Sequence, residues 1–160
     1  EPWIDEKRLA AVGPSFGGYS VLWLAGNHGK RFKAFVAHDG IFNLETMYTD
    51  TDEMWFVKSE FGAPPWDKGK KQKFYAASPH RFVQNWNTPI LIVQGERDYR
   101  VPVAQGLGAF NAAVLRGVPA ELLYLPGEGH WVLTPQDSIL WHRVFFNWLA
   151  KWLKHDAKNE

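Results

Sequence analysis

Four short apolar runs, each bounded by glycine, proline or polar residues, punctuate the chain. They cover residues 8–12 (ending at Gly13), 33–37, 89–94 and 120–124. Their lengths suit strands better than helices. The third, Pro89-Ile90-Leu91-Ile92-Val93-Gln94, is too uniformly apolar to have a wet face, as expected of a strand covered on both sides. Between the runs lie segments with helical character. Residues 17–27 are small and apolar and close on Gly26 and Gly29; residues 102–115 end at Gly117. A last helix is expected from Pro135 or Asp137. Its Trp141, Val144, Phe145, Trp148 and Trp152 recur at helical spacing and should face the core, while Lys151, Lys154 and Lys158 complement the helix dipole. Strands alternating with helices predict parallel βαβ units and a layered α/β fold. Residues 39–87 break the rhythm: they are polar and aromatic, hold Pro64-Pro65, and promise only short helices. A connection of that length is unusual in a compact domain unless it has a function.

Composition narrows the possibilities. The chain has 160 residues, 46% of them hydrophobic, with 9 Trp and 11 Phe, enough to bury one sizeable core and unlike a disordered segment. The net charge of +1 gives no field to steer nucleic acid or an anionic membrane, and neither is expected as a partner. The basic cluster Lys68, Lys70, Lys71 and Lys73 reads as a solvated surface. There is no cysteine, which excludes disulfides, thiolate metal sites and cysteine catalysis but leaves periplasm, secretion and cytosol equally open. No histidine pair has metal-ligand spacing.

One motif carries chemistry. Gly13-Pro14-Ser15-Phe16-Gly17 matches Gly-x-Ser-x-Gly, with a strand before it and a helix after it, the context of a nucleophile elbow in the α/β-hydrolase fold. The serine of such an elbow sits on a strained turn, and side chains at the flanking glycines should collide with neighbouring backbone. The Phe16 N–H, at the positive end of the following helix, is the expected oxyanion donor.

A serine nucleophile needs a base, and the base an orienting acid. In open α/β sheets functional groups gather on loops beyond the carboxyl ends of the strands. The third strand leads into Gly95-Glu96-Arg97-Asp98 and the fourth into Gly127-Glu128-Gly129-His130. The order serine, acid, histidine is that of the α/β-hydrolases. Ser15, Asp98 and His130 are therefore the expected catalytic residues. Glu96 is the best rival acid, and Glu128 reads as loop polarity. His38 lies at a strand end but precedes the acid. His28, His80, His142 and His155 read as surface or packing residues.

At these residues the sequence resembles the prolyl oligopeptidase family, in particular its dipeptidyl- and acylaminoacyl-peptidase branch. The likeness runs through Gly13-Pro14-Ser15-Phe16-Gly17-Gly18-Tyr19, Ser78-Pro79, Thr88-Pro89-Ile90-Leu91, Gly95 to Pro102, and Gly129-His130-Trp131. Residues 38–44 with Glu53-Met54-Trp55-Phe56 look most like bacterial dipeptidyl-peptidases that favour hydrophobic residues. The resemblance implies hydrolysis of oligopeptide bonds through an acyl-serine intermediate, with no metal or cofactor. It also implies that the long segment after the second strand lines the substrate pocket. Phe42, Tyr48, Trp55 and Val101 are candidates for that lining, and packing in the core is the alternative for each. Pro14 departs from the family's usual small or aromatic residue before the nucleophile.

The resemblance further implies that residues 1–160 are the C-terminal part of a peptidase domain, from the nucleophile strand to the last helix. Earlier strands, a second oxyanion donor and a propeller would then lie outside it. Two expectations follow. Residues 8–12 present an open apolar sheet edge, to be covered by the N-terminal remainder of the protein or by a second copy. The isolated chain has little peptidase activity, since one lost oxyanion donor costs on the order of a hundred-fold or more. A carboxylesterase or lipase on the same fold, and a non-catalytic fragment, are the competing readings.

Overall fold

A computed structural model describes residues 2–67 and 75–154. The basic cluster at 68–73, His155 and Lys158 lie outside the described residues. The chain runs β1 (Ala10–Pro14), α1 (Phe16–Ala25), β2 (Ala34–His38), α2 (Leu44–Asp50), α3 (Met54–Phe61), a 3-10 helix (Pro79–Asn85), β3 (Ile90–Gly95), α4 (Val103–Leu115), β4 (Ala120–Leu125) and α5 (Pro135–Trp152). The four strands form one parallel sheet in the order β1-β2-β3-β4, with helices on both faces, as the alternating pattern predicts.

The pleat explains why the central runs are uniformly apolar. Phe35, Ala37, Ile90 and Ile92 point to one face and pack with Val21, Leu22, Ala109 and Ala113 of α1 and α4. Ala34, Val36, Leu91 and Val93, one residue out of phase, point to the other face and pack against Trp148 of α5, with Trp141, Val144, Phe145 and Trp152 around it. Every residue of β3 is buried. The Trp148 indole also donates to the Phe35 carbonyl at 3.0 Å, pinning α5 to the sheet.

The elbow strand lies two residues later than the apolar run suggests. Arg8 is drawn off into an ion pair with Asp5, and the register with β2 continues until Pro14 stands opposite His38. Ser15 thereby falls immediately past the strand. β1 is a terminal strand of the sheet and Val12 is 48% exposed.

Among its described residues the long middle segment forms α2, α3 and the 3-10 helix, held by polar side chains. Asn43 caps α2 by accepting from the N–H groups of Glu45 and Thr46. The Gln105 side chain of α4 accepts from the N–H groups of Phe42 and Asn43, and Ser78 Oγ accepts from that of Leu44. These bonds satisfy backbone that leaves the sheet without a ladder partner.

Candidate active site

Ser15 sits between the carboxyl end of β1 and the first turn of α1, with φ 56° and ψ −118°, a conformation a non-glycine residue rarely adopts. The turn is tight because the Ser15 N–H donates to the His38 carbonyl at 2.8 Å while its own carbonyl accepts from Tyr19. The two motif glycines are not equivalent. A Cβ at Gly13 would lie 2.4 Å from the Gly17 carbonyl group, so glycine is obligatory there. At Gly17 an added Cβ would meet only Pro14 Cδ at 3.4 Å, an ordinary contact; the expectation of a backbone clash at that position is corrected. Gly17 serves as the close neighbour that Gly13 must admit. Phe16 is the first residue of α1, where the backbone N–H has no acceptor within the helix, and its ring lies outward, stacked on Tyr19.

Asp98 and His130 come from loops zipped together backbone to backbone. The Arg97 N–H donates to the Glu128 carbonyl at 2.8 Å and the Glu96 N–H to that of Leu125 at 3.1 Å. A Cβ at Gly95 would fall 2.2 Å from the Gly129 carbonyl oxygen, so the end of β3 can approach the histidine loop only because residue 95 has no side chain. Across this seam His130 Nδ1 lies 2.7 Å from Asp98 Oδ2, and His130 Nε2 lies 3.0 Å from Ser15 Oγ. Asp98 is 2% exposed and fully occupied, because its Oδ1 accepts from the N–H groups of Arg100 (2.9 Å) and Val101 (2.8 Å).

Asp98 serves as an acceptor throughout, its Oδ1 taking two backbone N–H groups, so Nδ1 of His130 carries the proton toward Oδ2 and Nε2 is left to accept from the Ser15 hydroxyl. Burial lowers the basicity of His130. The hydrogen bond to Asp98 and the negative charges of Asp98 and Asp39 outweigh burial and the nearby Arg100, leaving its pKa above the ordinary 6.5. A hydroxyl beside such an imidazole can lose its proton as it attacks an electrophilic carbon.

The rival residues stand elsewhere. Glu96 is exposed and accepts from the Gly127 N–H at 2.9 Å. His28 bonds to Thr88, His80 to Ser78, and His142 to the Ser138 carbonyl. Glu128 is more than loop polarity, and that reading is corrected. It is 4% exposed and accepts from the N–H groups of Leu133 and Thr134, closing the loop that presents His130; these bonds hold its pKa below the ordinary carboxylate value. The cue in the sequence was its place two residues before the histidine between two glycines.

Asp39 is the residue that sequence reasoning missed. It follows β2 with φ 45°, is 1% exposed, and places Oδ2 4.0 Å from His130 Nδ1. Asp39, Asp98 and His130 bring potential ligand atoms within 4.8 Å of one another. Both Asp98 oxygens and the His130 ring are already hydrogen bonded, and of these potential ligand atoms Asp39 Oδ2 is the one without a hydrogen bond.

The four candidate pocket residues separate into two pairs. Tyr48 and Trp55 line an open depression of about 330 Å³ together with Thr49, Met54, Lys58 and Trp66. Phe42 is half-buried, its ring edge-on to Trp86 and to His80 beneath α4. Val101 is buried in a third cluster with Ile41, Leu44 and Phe61, where its N–H anchors Asp98.

The parallel sheet, its covering helices and the serine turn at its rim define an α/β-hydrolase fold. Residues 1–156 match the family model described as the prolyl oligopeptidase family, peptidase S9, and the chain belongs to that family. It is 56% identical over 156 residues to a dipeptidyl-peptidase 5 of Porphyromonas gingivalis, an alignment covering 96% of this chain and 23% of the relative. A dipeptidyl-peptidase 5 of Porphyromonas endodontalis is 54% identical over the same length and coverage. The chain thus spans about a quarter of the length of these curated relatives. Among solved structures it superimposes on the Pyrococcus horikoshii acylaminoacyl peptidase with a TM-score of 0.89 at 24% identity, covering all of this chain and 26% of that one, a likeness of fold. No helix among the described residues is long and apolar enough to cross a membrane.

Proposed function

We propose that this chain carries the acylation machinery of a serine peptidase that cleaves short peptides, with Ser15 as nucleophile, His130 as general base and Asp98 as its orienting acid. The observation that carries this reading is the continuous row from Asp98 Oδ2 through His130 to Ser15 Oγ, at 2.7 and 3.0 Å. His130 takes the hydroxyl proton as Ser15 attacks the scissile carbonyl. The Phe16 N–H is one donor to the resulting oxyanion. His130 then delivers the proton to the leaving amine, and water repeats the cycle on the acyl-serine.

Likeness to relatives named dipeptidyl-peptidase 5 favours release of dipeptides as the reaction, and the aromatic walls of the Tyr48–Trp55 depression suit a hydrophobic side chain. The exposed edge at β1 is where we place the remainder of the peptidase domain in the complete gene product. The test is made on that complete protein: a fluorophosphonate should label Ser15, and dipeptidyl anilides with hydrophobic residues should be cleaved in preference to short acyl esters. Absence of label would remove the nucleophile assignment. Preference for esters would move the protein to the carboxylesterases.

The pH profile is a second test. His130 works as a base only when neutral, and its pKa lies above 6.5. The rate constant kcat/KM should therefore fall on acidification with a midpoint above 6.5. The stability linkage has its own sign. A histidine whose folded pKa is raised stabilises the fold fully below its unfolded value and ceases to do so as pH rises through the folded one. The hydrolase should thus be most active on the side of that titration where this contribution has been lost.

A further inference from the structure

We infer that Asp39 is a second acid for His130, a positioning residue that shares with Asp98 the task of holding the imidazole and its charge; this rests on His130 acting as the base. The geometry is unusual for a carboxylate with no task. Asp39 is 1% exposed and its backbone is held at φ 45°. Its Oδ1 accepts from the Gly95 N–H at 3.2 Å, a bond to the same strand end that leads to Asp98. Its Oδ2 is buried without a hydrogen bond of its own. That oxygen is within ion-pair range of His38 Nε2 at 3.0 Å and lies 4.0 Å from His130 Nδ1, the nitrogen already held by Asp98. One imidazole nitrogen therefore faces two buried carboxylates.

A buried carboxylate oxygen whose nearest polar neighbour, His38 Nε2, makes no well-formed hydrogen bond with it costs stability, and such groups persist where a function keeps them. When His130 receives the serine proton, the imidazolium faces Asp98 at hydrogen-bond distance and Asp39 just beyond it. A unit charge so close in a buried site acts with little screening. The groups around the pair come from every neighbouring element: His38 on β2, Asp98 and Arg100 in the loop after β3, and Ser15 at the elbow, with only Arg100 a fixed cation. Arg100 is tied to Glu53, and after Asp98 the charge that acts most strongly on the ring is that of Asp39. Burial raises the Asp39 pKa, and the charge of Asp98 adds to that rise. His38 and the Gly95 N–H oppose it.

The variant Asp39→Asn keeps the shape and the bond from Gly95, and asparagine tolerates a positive φ. In the complete protein its kcat/KM should fall severalfold at neutral pH, and its acid limb should move down by roughly half to one pH unit. An acid limb that superimposes on the unmodified protein overturns the inference. A second comparison works even if Asp39→Asn fails to fold. With Asp98→Ala, the ring can relax onto Asp39, so this variant should keep about ten-fold more activity than His130→Ala. Asp39→Asn added to Asp98→Ala should abolish that advantage. Equal losses in Asp98→Ala and His130→Ala also overturn the inference. Failure of the hydrolase reading is recognised separately, as absence of fluorophosphonate label on Ser15 in the unmodified protein.

Discussion

Replacing Ser15 by alanine is expected to abolish fluorophosphonate labelling and to lower kcat/KM of the complete protein by about 10⁴-fold or more. The backbone has no reason to change, because alanine at φ 56° bears the same strain as serine. His130→Ala should cost as much, and the double variant no more than either alone. In the proposed mechanism nucleophile and base act as a unit, so removing one leaves the other nothing to do. Additive losses, measured by steady-state kinetics, would mean that the hydroxyl and the imidazole act independently and that the 3.0 Å contact between them is incidental. The same position offers a stability readout. Glycine is at ease in the conformation Ser15 adopts, so Ser15→Gly should melt at a higher temperature than Ser15→Ala while being equally inactive.

Gly95→Ala is expected to be strongly damaging although residue 95 is none of the three proposed catalytic residues. The new methyl would fall 2.2 Å from the Gly129 carbonyl oxygen and 2.8 Å from that of Glu128. Neither is a flexible side-chain tip; both belong to the backbone of the loop that carries His130. Overpacking of this kind costs about 1–3 kcal/mol, readable in a denaturant titration. The larger effect should be kinetic. Separating the two loops pulls His130 from Asp98, and a misplacement of about 1 Å in a reacting group can cost roughly a hundred-fold in rate. The position has no unusual φ, so the penalty is purely steric, and a Gly95→Ala variant with unimpaired kcat would refute the account of the seam. Gly17→Ala is the matched control. Only Pro14 Cδ at 3.4 Å receives its methyl, so it should be far milder although it alters the serine motif itself.

Much of the site is legible in the sequence. Gly-x-Ser-x-Gly between a strand and a helix is a local statement about backbone, so the elbow could be read at Ser15. Parallel strands place their carboxyl ends on one rim, so the loops holding Asp98 and His130 could be chosen by topology alone. Glu128 and Asp39 were not legible in the same way. Both are acids whose roles depend on what lies across a loop or a neighbouring strand: Leu133 and Thr134 for one, Gly95 and His130 for the other. Sequence separation does not encode those neighbours. Val101 and Phe42 illustrate the same limit for apolar residues, since a ring or an isopropyl group that can line a pocket can equally fill a core.

The amino-acid sequence by itself determined the alternation of strand and helix, the parallel sheet, the serine turn and the order of its prospective partners. Each follows from short-range periodicity, turn sterics and chain topology. Tertiary structure alone decided the distances in the row from Asp98 to Ser15. It also decided that Gly95 rather than Gly17 is a tight steric contact at the site, and that a second carboxylate stands beside the histidine. The physical reason is that burial and close approach are properties of surfaces brought together from opposite ends of the chain, and hydrogen-bond geometry is set by the fit between them.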